Sequence, residues 1–359
     1  MLRKTSWAWV ALLAAAGSLA AAEPGNGLQK GTPGLKSAGP LAFGPDGILF
    51  IGDPQGAAII ALDTGDRPDS PASGPLKVEK IDEQVAALLG TTAQQILVND
   101  LAVNPASGHA YLSVSRGKGP DAAPAIVRVD RRGKLTVLPL EDVKYAKASL
   151  PNPTQRPQQR QDAITHLAYV KGRVFVAGLS NDQFSSMLRS IPFPFTEADK
   201  GASVEIFHGS HGRFETNSPV RTFVPFDIAG EAHLLAAYTC TPLVKIPVSE
   251  LKAGAHVKGT TVAELGNRNR PLDMIVYQKG GKDYILMANS SRGIMKIPTE
   301  GIDKAQGITD RVRDKAGLTY ETIAELKGVQ QLDKLDKDNA LILIRTEGGA
   351  LNLDTVPLP

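Results

Sequence analysis

Apolar positions in this chain fall into short runs rather than into helical stripes. One order recurs: an apolar strand, a turn rich in Gly, Asp or Lys, a second and almost wholly apolar strand, then a third strand. The first instance occupies 39–43, 48–53 and 57–63, and the second 99–103, 111–116 and 125–130. The third reads 165–169 and 174–179, with 203–207 after an insertion, and a weaker fourth holds 234–239 and 243–247. The fifth covers 271–277, 285–290 and 293–298, and the sixth 331–335, 341–346 and 350–354. Continuous apolar second strands are what a sheet buried on both faces requires. More polar fourth strands follow at 134–138, 260–265 and 319–326. Pro45-Asp46-Gly47 carries turn chemistry, because Pro presets its own φ and Gly accepts a positive one. The pattern predicts an all-β fold, a six-bladed β-propeller of four-stranded antiparallel blades; the length equally admits seven blades.

Between the copies lie insertions at 66–96, 141–161 and 184–202. Residues 82–89 predict one short helix, with Asp82 as its N-cap and Gly90 as its stop. Residues 150–161 read as an extended loop. The Gly/Pro-rich segment 23–39 is expected to supply an outer strand that closes the ring beside the sixth copy, which lacks a fourth strand. The apolar, proline-interrupted stretch 184–195 packs over its own blade on one reading, and forms a lid or partner-docking loop on another.

Charge and composition narrow the function. Residues 1–22 have a secretory pattern: Arg3 and Lys4, an apolar run, then Ser18-Leu19-Ala20-Ala21-Ala22. The expectation is export to the periplasm or medium, leaving 23–359 as one β-propeller domain with no transmembrane span. The formal net charge is +3, and the leader holds two of those positive charges. Without a basic stripe, nucleic-acid binding has no electrostatic basis. A hydrophobic fraction of 42% argues against disorder. The sole cysteine, Cys240, excludes an intramolecular disulfide and a Cys-paired zinc site.

Aligning the copies puts Pro40, Asp100, His166, Asp273 and Gln331 at equivalent starts of the innermost strands. The ends of the second strands add Asp53, Arg116, Asn181, Cys240, Asn289, Arg292, Arg345 and Glu347. These are expected to converge at one mouth of a central channel, where a small molecule or a protein would bind. The ligand candidates are Asn99, Asp100, His166, Asn181, Asp273, Asn289, Arg292 and Arg345. Asp100, His166 and Asp273 have the donor types for a metal or for acid–base work. The plainer alternative is a polar tunnel whose strand-end groups pair with backbone. His208 and His211 are read as part of a hairpin turn, and Cys240 as a small buried apolar residue. No G-x-S-x-G, HExxH, P-loop or EF-hand motif is present.

The runs Gly39-Pro40-Leu41-Ala42-Phe43-Gly44-Pro45-Asp46-Gly47, Asn99-Asp100-Leu101-Ala102-Val103 and Arg270-Pro271-Leu272-Asp273-Met274 resemble the six-bladed regucalcin/gluconolactonase-like propellers and the NHL-repeat propellers. The resemblance implies one divalent cation, such as calcium, at the channel mouth, held by a Glu before the first Gly-Pro, two Asn and an Asp. Here Ala38 stands where that Glu is expected, Asn99 matches an Asn ligand, and Asp273 is displaced by one residue. The cation set carried over is Asn99, Asp100 and Asp273. Three functions follow: a non-catalytic binding propeller, which the incomplete carboxylate ring favours; a metal-dependent lactonase or phosphotriesterase-like hydrolase; and a redox-cofactor propeller. Cofactor stacking on Trp has no residue for it beyond the leader, since Trp7 and Trp9 are the only two.

Overall fold

Strand pairing is antiparallel almost throughout, and the computed structural model describes it for residues 27–67 and 74–359; the leader lies outside these residues. Each repeat forms a small sheet whose first strand lines a common axis. The first sheet orders Leu41–Phe43, Ile48–Asp53, Ala58–Asp63 and Val143–Ser149 outward, with Gln29–Gly31 on its rim. The second holds Ile96–Val103, Ala110–Arg116, Ala123–Val129 and Leu135–Val137. The third runs His166–Val170, Arg173–Leu179, Ser186–Pro192 and Ala202–His208, and the fourth Val220–Ile228, Glu231–Tyr238, Pro242–Pro247 and His256–Leu265. The fifth has Pro271–Lys279, Lys282–Asn289, Gly293–Pro298 and Glu321–Ile323, and the sixth Val329–Lys334, Asn339–Arg345, Leu351–Pro357 and Lys77–Val78. The described strands thus form six sheets around a channel, an all-β propeller. A parallel pairing of Ala202–His208 with His256–Leu265 fuses the third and fourth at their rims.

The second strands lie at the centre of their sheets and face apolar neighbours on both sides, which explains their composition. Ile48–Asp53 and Ala58–Asp63 are buried almost without interruption. Each core sits between adjacent sheets: Ile48, Phe50 and Ile59 of the first pack against Leu167, Val174 and Val176 of the third. Leu49, Ile51 and Ile60, on the opposite face, pack against Ala102, Tyr111 and Ile126 of the second.

These contacts reveal an exchanged order around the ring. Following the neighbouring inner strands, the sheets run first, second, sixth, fifth, fourth, third, and back to the first. Consecutive repeats would place the first beside the sixth; here the second stands between them. Segment 64–96 carries the chain there. It adds Lys77–Val78 to the rim of the sixth sheet and then buries Ile81 and Val85 of the helix Ile81–Leu88 between the sixth and second. After completing the second sheet the chain returns to supply Val143–Ser149 to the first.

Several expectations are corrected here. The described part of the 23–39 segment, 27–39, does not close the ring beside the sixth copy; 23–26 lie outside the described residues. Gln29–Gly31 pairs with Val143–Ser149, and the missing rim strand of the sixth sheet comes from inside the 66–96 insertion. Stretch 184–195 follows the packing alternative rather than the lid, and 184–202 is not a simple insertion: Ser186–Pro192 is the third strand of its sheet, and Phe193 packs edge-on to Phe50. The 203–207 run is therefore a fourth strand. The helix begins one residue before the expected span, and its N-cap position is Lys80. Asp82 lies in the first turn, where its carboxylate accepts from the Leu351 N–H instead. Gly90, at φ +65°, ends the helix as expected.

Candidate functional site

Four of the six inner strands carry a β-bulge at their start, at 98–100, 220–222, 271–273 and 329–331. A bulge inserts one residue and re-aims those after it. Beyond it, Asp100 and Asp273 turn into a channel cavity of about 660 Å³, which His166 and Asp333 also line. The remaining wall is largely apolar, with Phe43, Val103, Leu167, Phe223 and Met274 among its members.

The three carboxylates work as clasps between neighbouring sheets. Asp100 Oδ2 accepts from the Leu41 N–H at 2.7 Å, tying the second sheet to the first. Asp333 Oδ2 accepts from the Val103 N–H at 2.7 Å, tying the sixth to the second, and its Oδ1 accepts from the Lys334 N–H at 2.6 Å. Asp273 Oδ2 accepts from the Leu332 N–H at 3.0 Å and Oδ1 from the Met274 N–H at 2.8 Å, tying the fifth to the sixth. Gln331 adds a bond from its amide to the Asn99 carbonyl at 3.2 Å. These bonds follow the exchanged ring order, so the polar residues of the inner strands help to hold it.

Burial sets their ionisation. Loss of water pushes Asp100 up to about 7, against the pull of the Leu41 and Leu101 N–H groups. Asp333 is raised to about 6 for the same reason. Asp273 is raised well above the ordinary carboxylate value by burial and then by the Asp100 charge. His166, desolvated in the wall with its ring edge-on to Phe223 at 4.9 Å, is lowered to about 4. Burial thus favours the neutral form of the imidazole and the protonated form of the carboxylates.

The other sequence candidates lie elsewhere. Asn99 is the bulged residue itself and points away from this cavity. Its amide donates to the Ala38 carbonyl at 2.7 Å and to Ser115 Oγ at 2.9 Å, beside a second cavity of about 820 Å³ at the start of the inner strands. Asn181 is exposed, with its N–H on the Asn152 carbonyl. Asn289 is buried and caps its hairpin, accepting from the Ser291 and Arg292 N–H groups. With Arg292 it lines a separate pocket of about 440 Å³. Arg345 is exposed and donates to the Gly349 carbonyl at 2.8 Å. Asp53, fully buried, accepts from the N–H groups of Lys36, Ser37 and Gly56. Second strands stand one strand-spacing from the axis, so their ends face the gaps between sheets rather than the channel.

The donors do not fit the calcium that the resemblance implies. Asn99 is turned out, Ala38 offers no carboxylate, and both oxygens of Asp273 already accept backbone N–H groups. A hard cation wants six or more oxygens. Sequence reasoning missed Asp333, two residues beyond the aligned Gln331; its signal was an acid at alternation spacing within an inner strand. Also missed was the Arg221–Asp162 pair at 2.8 Å in the larger cavity.

Among the described residues, the group of His, Cys, Asp and Glu whose donor atoms all lie within 4.8 Å of one another is His208, His211 and Glu215. It sits away from the channel, on the hairpin between Ala202–His208 and Arg213–Glu215. The two imidazoles approach to 3.9 Å between centroids. Their Nδ1 atoms lie 3.1 and 2.6 Å from the two Glu215 oxygens. The hairpin expectation for these residues is met in the turn itself. Glu215, brought alongside by strand pairing, is what the sequence reading lacked.

No family model matches the chain, and no curated protein sequence matches it. Its structure is similar to that of a Thermus thermophilus protein described as an oxidoreductase (glucose dehydrogenase), with 14% identity, TM-score 0.37, and coverage of 92% of this chain and 100% of that one. It is similar also to the PQQ-bound aldose sugar dehydrogenase of Streptomyces coelicolor, at 13% identity and TM-score 0.36, over 91% and 96% of the two chains. A third likeness is to the plexin A4 extracellular region, at 10% identity and TM-score 0.42, over 93% of this chain and 47% of that one. Similarities of this size transfer no activity, ligand or residue role.

Proposed function

We propose that the protein is an exported, non-catalytic binding propeller. Its channel takes a small, mainly apolar molecule that carries a positive charge or several hydrogen-bond donors. The observation that carries this reading is the commitment of the channel carboxylates. Asp273 and Asp333 use both oxygens to accept from backbone N–H groups, and Asp100 accepts from the Leu41 and Leu101 N–H groups. Groups held in this way are committed to joining the sheets, and burial lowers His166. What the cavity offers a guest is this group of buried carboxylates in a mainly apolar wall, with Lys334 and Lys337 also among its lining residues; the carboxylates suit an apolar cation. Such a guest would favour the ionised carboxylates and so release protons on binding. The regucalcin-like resemblance enters only as a likeness of repeat texture. Export with removal of residues 1–22 belongs to the same reading; the mass of secreted material, starting between residues 21 and 24, tests it.

Thermal shift with benzylamine and phenethylamine against the uncharged benzyl alcohol tests the site. The expectation is a shift for the amines that is lost in Ala168→Phe, which narrows the channel. A guest present at 100 times its dissociation constant raises stability by about 2.7 kcal/mol, a readily measured change. Equal response to the alcohol, or none to any probe, overturns the reading. A calcium or manganese shift abolished in Asp100→Ala/Asp273→Ala would replace it with a metal-dependent hydrolase. Sugar-dependent dye reduction on adding a quinone cofactor would replace it with a redox propeller.

A further inference from the structure

We propose that His208, His211 and Glu215 form a binding site for a borderline divalent transition metal, of which zinc is the type, on the rim of the third sheet. The site is independent of the channel. Its donors come from a HxxHxxxE spacing folded across a hairpin. The register pairs His208 with Arg213 and Ile206 with Glu215, so Glu215 lies diagonal to His208 on the same face of the ribbon. The turn through Gly209 and Gly212 brings His211 back over both.

The chemistry of the donor set selects the ion. Two imidazole nitrogens and one carboxylate suit zinc, whereas calcium and magnesium prefer oxygen alone. Zinc lies about 2.0–2.2 Å from such donors. Donor atoms within 4.8 Å of one another need only a modest contraction to reach it. His211, with its side chain 48% exposed, can swing to make that contraction and leaves a face open to water. His208 and Glu215 are the fixed side, at 2% and 11%.

The outer groups are those a metal-bound imidazole needs. A ligating His is normally oriented by a hydrogen bond at its other nitrogen. His208 has one: with Nδ1 facing Glu215, its Nε2 lies 2.9 Å from Thr241 Oγ1. Thr241 in turn lies 3.1 Å from Ser210 Oγ, which reaches the buried Glu264 carboxylate at 3.4 Å. The Glu215 carboxylate is itself oriented by Ser218 Oγ at 2.6 Å. The Arg213 guanidinium lies 3.5 Å from Glu215 Oε1 with its side chain 72% exposed, so it can turn to solvent when a cation takes the carboxylate.

The test is zinc content of the dialysed full-length chain, followed by zinc titration calorimetry and cobalt(II) absorption. One ion per chain is expected in the wild type and in Asp100→Ala/Asp273→Ala. His211→Ala and Glu215→Gln should each lose at least about tenfold in affinity, and Thr241→Val should lose roughly 10–100-fold with the ligands intact. His211 is exposed, so His211→Ala is expected to unfold near the wild-type midpoint when metal is absent. That comparison separates a lost ligand from a lost fold. Zinc bound equally by His211→Ala and the wild type, or no stoichiometric zinc in the wild type, would overturn the proposal and leave a hydrogen-bonded turn.

Discussion

Replacing Asp100 by Asn should flatten the pH dependence of folding stability between pH 5 and pH 8. Asp100 is raised to about 7 in the fold, mainly by burial, while an unfolded chain returns it to an ordinary value near 3.8. The folded state therefore holds the proton more tightly across this window. The stability that this proton confers is fully present below the unfolded value and is lost as pH rises through 7. Between pH 5 and pH 8 the difference spans about two decades of proton affinity, so at about 1.4 kcal/mol per decade it is worth roughly 3 kcal/mol. Asn cannot titrate, so this part of the slope disappears. Asp273 adds to the flattening, because the Asp100 charge is one cause of its own elevation. His166 acts in the opposite direction: lowered to about 4, it costs stability as pH falls below its unfolded value. It is present in both proteins and cancels in their difference. Urea unfolding at several pH values, with slopes compared between wild type and Asp100→Asn, makes the measurement. If the wild type loses no more stability than the variant on going from pH 5 to pH 8, the clasp does not hold a buried proton and the argument fails.

Three further outcomes follow from the packing. Gly178→Ala places a Cβ against the Ala163 carbonyl, a backbone contact that cannot rotate away; a loss of about 2 kcal/mol or more is expected by denaturant titration. Val78→Asp buries a carboxylate where the rim strand of the sixth sheet joins the apolar cluster with Val85 and Leu353. It should cost about 3 kcal/mol or more and expose the 74–90 segment to protease first. Asp66→Ala removes the acceptor shared by Asn104, Ser107, His109 and Tyr111, stitching the first sheet to the second. Its loss should cost about 3 kcal/mol at pH 7. Burial opposes but does not cancel the donors that hold Asp66 below its ordinary value, so the variant should differ least from wild type in strong acid.

Strand positions were legible in the chain because they are local. Alternation, apolar runs and turn residues such as Asp46 and Gly47, both at positive φ in the structure, act over a few residues at a time. They specified most first and second strands, the fourth strands at 134–138, 260–265 and 319–326, and the cavity placement of Asp100, His166 and Asp273. What repeat alignment could not reach was whatever depends on partners distant in sequence. A two-residue rim strand, Lys77–Val78, has no periodicity to announce it, and its pairing with Leu351–Pro357 is meaningful only after the sixth sheet exists. The order of sheets around the axis is likewise a matter of which apolar faces meet, and Leu49 or Phe50 carries no label for its neighbour. The bulge at 98–100 leaves Asn99 in the cavity at the strand starts and Asp100 in the channel cavity beyond it, although they are adjacent in the chain. Glu215 became a partner of His208 and His211 through cross-strand register. Composition and periodicity thus determined the repeating unit and its turns. Tertiary structure alone decided how the units close and which polar atoms share a site, because those outcomes are selected by the burial of surfaces that come together only when the ring is complete.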